Sequence, residues 1–268
     1  MGGLKPSIVL FNNRGDLIHT LLTPLSSLIF GACCGSFLNV CLFRWKNGGH
    51  VLYPPSFCPC CKKNIKWYDN IPVLSFIWLR GKCRSCSHSI SFQYPTVEAA
   101  TAILFCLAAQ MFGNDKPLAI VESYFFLSFL VLFVVSDLKW RLLPHVFNNF
   151  FILFGLFFMA LESSPKLFRG LCDSIIIGSL IFGLVQFFPN SMGGGDIKLM
   201  SGLGVWMGFS KTVFIIFLSF GLGALLALFL IAKRKMNRKS MMPFGPFLAL
   251  GALVVWFFPD LCGKLILF

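Results

Sequence analysis

Eight apolar segments recur along this chain, and they restrict it to the helical membrane proteins. A segment of about 20 apolar residues is long enough to cross a bilayer as a helix. The runs are continuous rather than alternating, which argues against an outer-membrane barrel. Composition agrees, since 57% of the 268 residues are hydrophobic and only 12% are charged, with a mean hydropathy of +0.80. We predict an all-α polytopic membrane protein with about eight transmembrane helices, near 24–43, 97–113, 118–136, 146–161, 171–188, 197–209, 212–232 and 243–259.

The positive charges are distributed unevenly between the loops, and this predicts an orientation. The formal net charge is +13; without a basic face or a nucleic-acid-binding motif, we expect no nucleic-acid partner. If residues 1–20 are non-cytoplasmic, 16 of the 23 basic residues fall in loops on the cytoplasmic side. No cleavable signal peptide is evident. The sequence therefore predicts a multi-pass membrane protein, surrounded by lipid, with these basic loops in the cytoplasm.

The predicted domain organisation is set by one long polar loop. The first transmembrane helix covers 21–44, the loop covers 45–94, and a seven-helix membrane domain covers 95–268. From Arg44 to Tyr94 the chain carries eight basic residues and one acid, Asp69. Attraction of this loop to anionic lipid headgroups is one use for the charge.

Four cysteines in the polar loop form two Cys-x-x-Cys pairs. Two residues between thiolates allow each pair to bind one ion, and four thiolates complete a tetrahedral zinc site. We predict structural Zn²⁺, since four protein ligands leave no open position; a redox pair is the alternative. Cys60 is a spare thiol, and His50 and His88 are possible substitute ligands. The predicted ligands are Cys58, Cys61, Cys83 and Cys86.

Two aspartates stand at the ends of apolar segments that the orientation places on the cytoplasmic side. Asp137 ends one segment, and Asp196 follows three glycines in Gly193-Gly194-Gly195-Asp196. An ionisable residue at such a position is a functional candidate. Two carboxylates that share a site share a proton, so one can activate water while the other polarises a carbonyl. The alternatives are salt bridges to nearby lysines or arginines, and a proton relay in a transporter.

The small and polar residues of the first helix, Gly35-Ser36-Phe37-Leu38-Asn39, have two interpretations. They form a helix-packing face, or Asn39 joins Arg44 in a site at the cytoplasmic rim. The sequence leaves both open.

Taken in order, these motifs resemble the type IV prepilin peptidase family, the bifunctional leader peptidases and N-methyltransferases. The resemblance covers nearly the whole chain; a looser one links the glycine run to the Gly-x-Gly-Asp signature of intramembrane aspartyl proteases. The segments that carry it are Gly35–Val40 with Arg44, Ser56–Cys61, Asn70–Pro72, Leu79–Cys86, Ile90–Pro95 with Glu98, Asp137, Gly193–Lys198 and Pro243–Phe247.

The resemblance implies an aspartyl endopeptidase of the bacterial inner membrane, a hydrolase that cuts the basic leader from type IV prepilins or pseudopilins at the cytoplasmic face. Asp137 and Asp196 match the catalytic pair. The enzyme would then methylate the new N-terminus with S-adenosylmethionine, serving type IV pilus assembly or type II secretion. Where the family has Pro-Asp after the first acid, this chain has Pro144-His145.

The cofactor site is the less defined half of the implied function, because no glycine-rich loop typical of nucleotide binding is evident. The candidates for binding S-adenosylmethionine are Gly35, Asn39, Arg44 and Glu98. The alternatives to the whole interpretation are a presenilin-like intramembrane protease acting on unrelated substrates, and a non-enzymatic membrane scaffold or transporter.

Overall fold

The computed structural model describes residues 14–50, 53, 55–112, 117–187, 192–234 and 242–260, and the regular elements in these ranges are helices. Extended pairing in these ranges is limited to two isolated bridges, both in the cysteine loop. A short 3-10 turn, Trp67–Asn70, precedes the second helix. The helices are α1 (Arg14–Asn47), α2 (Leu74–Trp78), α3 (Gln93–Phe112), α4 (Pro117–Trp140), α5 (His145–Glu162), α6 (Ser164–Phe187), α7 (Gly194–Met207), α8 (Phe209–Ala232) and α9 (Gly245–Phe257).

All eight predicted apolar segments form helices, which confirms the all-α membrane architecture. Six of these helices are long and apolar enough to cross a membrane: α1, α3, α4, α5, α6 and α8. The 14 residues of α7 and the 13 residues of α9 reach only about 20 Å at 1.5 Å per residue, less than a hydrocarbon core of about 30 Å. Of the N-terminal residues 1–20 that are predicted to be non-cytoplasmic, residues 1–13 lie outside the described residues.

The connection between α5 and α6 is shorter than the sequence predicts. The sequence predicts an apolar segment from about residue 171, whereas α6 begins at Ser164, directly before Pro165. Proline is tolerated in the first turn of a helix, because its missing N–H has no partner there. Only Ser163 separates the two helices.

The chain divides into two compact units. One comprises residues 1–37 and 54–124, and the other comprises 38–53 and 125–268. The helices α1 and α4 therefore contribute residues to both units. The predicted division into a loop of 45–94 and a peptidase domain of 95–268 is a functional division, and it stays a prediction.

In the first unit, α1 and α3 cross at two glycines of α1. A Cβ at Gly31 would lie 2.8 Å from the Cα of Ala102, and a Cβ at Gly35 would lie 2.7 Å from the Cα of Glu98. The four-residue spacing places both glycines on one face of α1, and small residues at this spacing allow membrane helices to approach closely. The structure thus uses Gly35 as a packing residue.

In the second unit, the short helix α7 is surrounded by protein. It packs against α5, α6 and α8, and its apolar side chains from Leu199 to Trp206 are buried. Trp206 stacks on Phe151 at 5.4 Å between ring centroids, and its Nε1–H donates to the Phe151 carbonyl at 2.9 Å. The helix α7 is therefore apolar because it lies in the protein core.

Candidate active site and metal centre

Asp137 lies near the end of α4 and is held by a helix N-terminus. Asp137 is only 5% exposed. Its Oδ2 accepts a hydrogen bond of 2.7 Å from the backbone N–H of Gly245. Gly245 is the first residue of α9, and the first N–H groups of a helix have no partner within the helix. The carboxylate satisfies one of them, so α9 fixes the orientation of Asp137.

Gly245 contacts a candidate catalytic residue, a role that the sequence did not predict. A Cβ on this residue would lie 2.9 Å from Oδ2 and 3.2 Å from Cγ of Asp137, so a side chain would displace the carboxyl group. The motif Pro243-Phe244-Gly245-Pro246 had carried a family resemblance only. Its signal was present, since glycine followed by proline marks the start of a helix.

Asp196 lies in the first turn of α7, outside the six candidate spans. Its backbone N–H donates to the Gly193 carbonyl at 3.0 Å, and its carboxylate accepts a hydrogen bond from the Gly193 N–H. The pKa of Asp196 is raised to about 6, chiefly by burial and also by the negative charge of Asp137, against the opposing effect of the Gly193 N–H. The two predicted carboxylates are therefore close enough to interact electrostatically.

The three glycines before Asp196 have different surroundings. A Cβ at Gly195 would lie 2.8 Å from Cβ and 3.0 Å from the carbonyl oxygen of Leu143, in the connection between α4 and α5. A Cβ at Gly194 would have no neighbour within 4 Å, and one at Gly193 would lie 3.3 Å from Oδ2 of Asp196. Close approach of the backbone thus requires glycine at 195 and not at 194.

Asn148 is a second residue that sequence reasoning missed. It lies in the first turn of α5, is fully buried, and donates from Nδ2 to the Gly195 carbonyl at 3.3 Å. Its Oδ1 is buried and accepts no hydrogen bond from the described residues. The amide links α5 to the residue before Asp196, so Asn148 positions the start of α7.

The four predicted cysteines come together in the first unit. Their sulfur atoms all lie within 4.8 Å of one another, and the Sγ atoms of Cys58 and Cys86 are 3.8 Å apart. A tetrahedral zinc ion with Zn–S bonds of 2.3 Å requires about 3.8 Å between sulfurs. The donor set therefore fits Zn²⁺, and it includes neither His50, His88 nor the exposed Cys60.

The two cysteine pairs lie in knuckles that share one backbone geometry. In each, the N–H of the first cysteine donates to a carbonyl five residues on, and its own carbonyl accepts from the residue four on. In each, the residue that follows the second cysteine has a positive φ, and one isolated bridge closes the loop. The equivalent residues are Cys58 and Cys83, Lys63 and His88, and Lys62 and Ser87.

The hydrogen bonding in the first knuckle also affects the acidity of its first cysteine. The N–H of Cys61 is the main reason that the pKa of Cys58 is lowered to about 7, which favours the thiolate that metals bind.

A bidentate ion pair connects the second knuckle to the 3-10 turn. The Nε–H and Nη2–H groups of Arg84 donate to Asp69 at 2.6 to 3.1 Å. Hydrogen bonding from Arg84 is the main reason that the pKa of Asp69 is lowered. Asp69, the one acid between residues 44 and 94, therefore forms its ion pair within the loop.

Comparison with known proteins identifies the family. Residues 29–112 match the Bacterial Peptidase A24 N-terminal domain, and residues 124–228 match the Type IV leader peptidase family. A prepilin leader peptidase/N-methyltransferase of Bacillus subtilis is 30% identical over 87% of this chain and 93% of its own length. The chain belongs to the type IV leader peptidase family.

Other relatives match over similar shares of the chain. The prepilin leader peptidase/N-methyltransferase of Aeromonas hydrophila is 31% identical over 91% of this chain and 94% of its own length. That of Pectobacterium carotovorum is 30% identical over 84% and 89%. No solved structure matches this chain significantly.

The four residues predicted to bind S-adenosylmethionine all have contacts within the protein. In the first unit, the Glu98 carboxylate accepts from the Val73 N–H at 2.7 Å and from Ser36, beside Gly35. In the second unit, Arg44 donates from Nη1 to the His50 carbonyl at 2.7 Å, and Asn39 is buried. These contacts explain why the residues are buried, and their cofactor role stays a prediction.

The residue that departs from the family pattern lies at the surface. His145 is the first residue of α5 and is exposed, three residues before the buried Asn148. Three side-chain ion pairs among the described residues join Arg84 to Asp69, Lys166 to Glu162 and Arg169 to Asp173. None of these three involves Asp137 or Asp196, and the positive charge of Arg141 interacts electrostatically with Asp137.

Proposed function

We propose that the protein is a membrane aspartyl endopeptidase that removes the leader from type IV prepilins or pseudopilins, and then methylates the new N-terminus. The pairing of Asp137 with Asp196 carries this proposal. The two residues come from different helices and lie 59 positions apart, yet one charge raises the pKa of the other. Relatives of nearly the same length are named prepilin leader peptidase/N-methyltransferase.

The reaction follows from two carboxyl groups that hold one proton. The ionised carboxylate takes a proton from water, and the resulting hydroxide attacks the scissile carbonyl, which the protonated carboxyl polarises by a hydrogen bond. The leaving amine then takes up a proton as the peptide C–N bond breaks. Since the pair titrates as a unit, the roles of Asp137 and Asp196 are not assigned separately.

The surrounding backbone keeps the two acids in place during this reaction. Gly245 orients Asp137 through its N–H, and Gly193 binds the Asp196 carboxylate. Asn148 and Leu143 fix the turn that carries Asp196. Such preorganisation lowers the barrier because little rearrangement is needed as charge develops.

Methylation is the second half of the proposal. S-adenosylmethionine would supply the methyl group to the new N-terminal amine, which must be unprotonated to accept it. The proposed binding residues remain Gly35, Asn39, Arg44 and Glu98. Structural Zn²⁺ on Cys58, Cys61, Cys83 and Cys86 would hold the loop between α1 and α3 in one conformation, since four protein ligands leave no coordination position for substrate.

The distribution of charge supports a location in the bacterial inner membrane with the aspartates at the cytoplasmic face. Basic loops remain on the cytoplasmic side of membrane proteins. Asp137 and Asp196 share their side with the basic cysteine loop in the predicted topology. Prepilins and the surrounding lipid would be the partners, and no nucleic acid would be.

The experiment is mass spectrometry of a prepilin incubated with membranes that contain this protein, with and without S-adenosylmethionine. We expect a product shortened by its leader, and heavier by one methyl group only with the cofactor. The substitutions Asp137→Asn and Asp196→Asn should each abolish cleavage. Asp173→Asn is the matched control, since it alters an acid of the same unit whose partner is Arg169.

Each outcome separates the proposal from its rivals. Cleavage that persists in either dyad variant would refute the paired-aspartate mechanism. Cleavage of apolar helices without a type IV leader would favour a presenilin-like protease. An uncut precursor, given a verified pilin partner, would favour a scaffold or transporter.

A further inference from the structure

The short helix α2 in the cysteine loop presents an apolar face outward. Leu74, Ile77 and Trp78 are 64%, 66% and 82% exposed. Their spacing of i, i+3 and i+4 places them on one side of the helix. Three large apolar side chains so exposed on one face of a helix indicate a surface that contacts an apolar partner.

The opposite side of α2 fixes which face points outward. Phe76 packs edge-on against Phe92 at 5.9 Å between ring centroids, and a Cβ on Gly81 would lie 3.1 Å from the Phe76 ring. The backbone N–H of Gly81 donates to the Phe76 carbonyl at 2.9 Å. Phe76 therefore packs α2 against the rest of the loop, whereas Leu74, Ile77 and Trp78 remain exposed.

A buried carboxylate of α3 fixes the position of α2 along the axis of α3. Val73, which precedes α2, has a φ of 61°, a conformation that is strained for a β-branched residue. Its N–H donates to Oε2 of Glu98 at 2.7 Å. Glu98 lies five residues inside the candidate span Gln93–Phe112, about 7.5 Å along the helix axis. The start of α2 is thus held at the boundary of a membrane span.

Basic residues flank the apolar face. Arg80 and Lys82 follow α2 directly and are exposed. Asp69, the one acid between residues 44 and 94, is already paired with Arg84. An apolar face bordered by unopposed positive charge is complementary to a leaflet that contains anionic lipid.

We propose that α2 is an interfacial anchor, which inserts Leu74, Ile77 and Trp78 into the lipid leaflet while Arg80 and Lys82 bind anionic headgroups. Glu98 holds the anchor at its depth through the Val73 N–H. The zinc-binding loop therefore lies against the membrane surface rather than extending into water. Tryptophan at this level is typical of membrane interfaces.

The test is quenching of tryptophan fluorescence in the full-length protein, in nanodiscs of phosphatidylglycerol and phosphatidylcholine with brominated acyl chains. The difference between the wild type and Trp78→Phe isolates the emission of Trp78. Trp67→Phe is the matched control, because Trp67 belongs to the same loop, is 80% exposed and lies outside α2. We expect brominated lipid to reduce the Trp78 emission to about half, and more than that of Trp67. The Arg80→Gln, Lys82→Gln double variant should lose any added quenching that phosphatidylglycerol causes.

Three results would overturn the proposal. In the first, Trp78 is quenched by aqueous acrylamide and not by brominated lipid. In the second, Trp78 is quenched no more than Trp67. In the third, Trp78 becomes protected only when a prepilin is added, which would make the apolar face a substrate site. Loss of quenching in a Glu98→Gln variant that keeps its zinc would support the role of Glu98 in setting the depth.

Discussion

Replacing Gly195 by alanine should damage catalysis, whereas the same change at Gly194 should not. A Cβ at 195 would lie 2.8 Å from Cβ of Leu143, and one at 194 would meet nothing within 4 Å. Since non-bonded carbons prefer at least about 3.5 Å, the start of α7 must move by roughly 0.7 Å or more. A displacement of about 1 Å at a catalytic group can cost about 100-fold in rate. We expect a loss in kcat of between about 10-fold and 100-fold for Gly195→Ala.

The assay is cleavage of a purified prepilin by the detergent-solubilised protein, with kcat measured separately from KM. Neither glycine has a positive φ, so alanine is compatible with the backbone at both positions and the steric contact is the main difference between them. Overpacking costs typically about 1–3 kcal/mol of stability, so thermal unfolding should be measured in parallel. Equal activity of the two variants would refute the argument, as would greater damage from Gly194→Ala.

The remaining predictions concern the residues that support the two sites. Asn148→Ala should lower kcat up to about tenfold, because one hydrogen bond to the turn before Asp196 is lost; Asn149→Ala, an exposed neighbour, is the control and should leave kcat unchanged. Cys58→Ser should reduce the zinc content, which we expect to be about one ion per chain by elemental analysis, whereas Cys60→Ser should retain it. The pKa of Asp69 is lowered in the folded protein by its arginine partner, so its stabilising contribution is complete at neutral pH and is lost as pH falls below about 4. Asp69→Asn should remove that part of the acid sensitivity in thermal unfolding measured against pH.

The features that depend on local sequence were predictable. The cysteine cluster follows from the spacing within each pair, since two intervening residues already determine the knuckle. The helices could be predicted from the apolar segments, because a segment that crosses a membrane must form its backbone hydrogen bonds internally. Asp137 and Asp196 could be predicted as candidates because acids are costly at the ends of apolar segments, and their catalytic role stays a prediction.

The features that depend on contacts between distant segments were not predictable. Gly245 lies 108 residues after the carboxylate that it binds, and Asn148 lies 47 residues before the carbonyl that it binds. Neither contact leaves a periodic pattern in the chain. The apolar character of α7 was equally ambiguous, since hydropathy is the same for a helix that faces lipid and one that faces protein.

The burial of α7 has a consequence for how the protein is assembled in the membrane. A helix of about 21 Å that is enclosed by α5, α6 and α8 cannot be stable as a separate insertion unit. We expect it to enter the bilayer late, after α6 and together with α8, when its neighbours can provide the surface that lipid cannot. Asp196 would then reach Asp137 only at the last stage of biogenesis, so an incompletely inserted chain would have no peptidase activity.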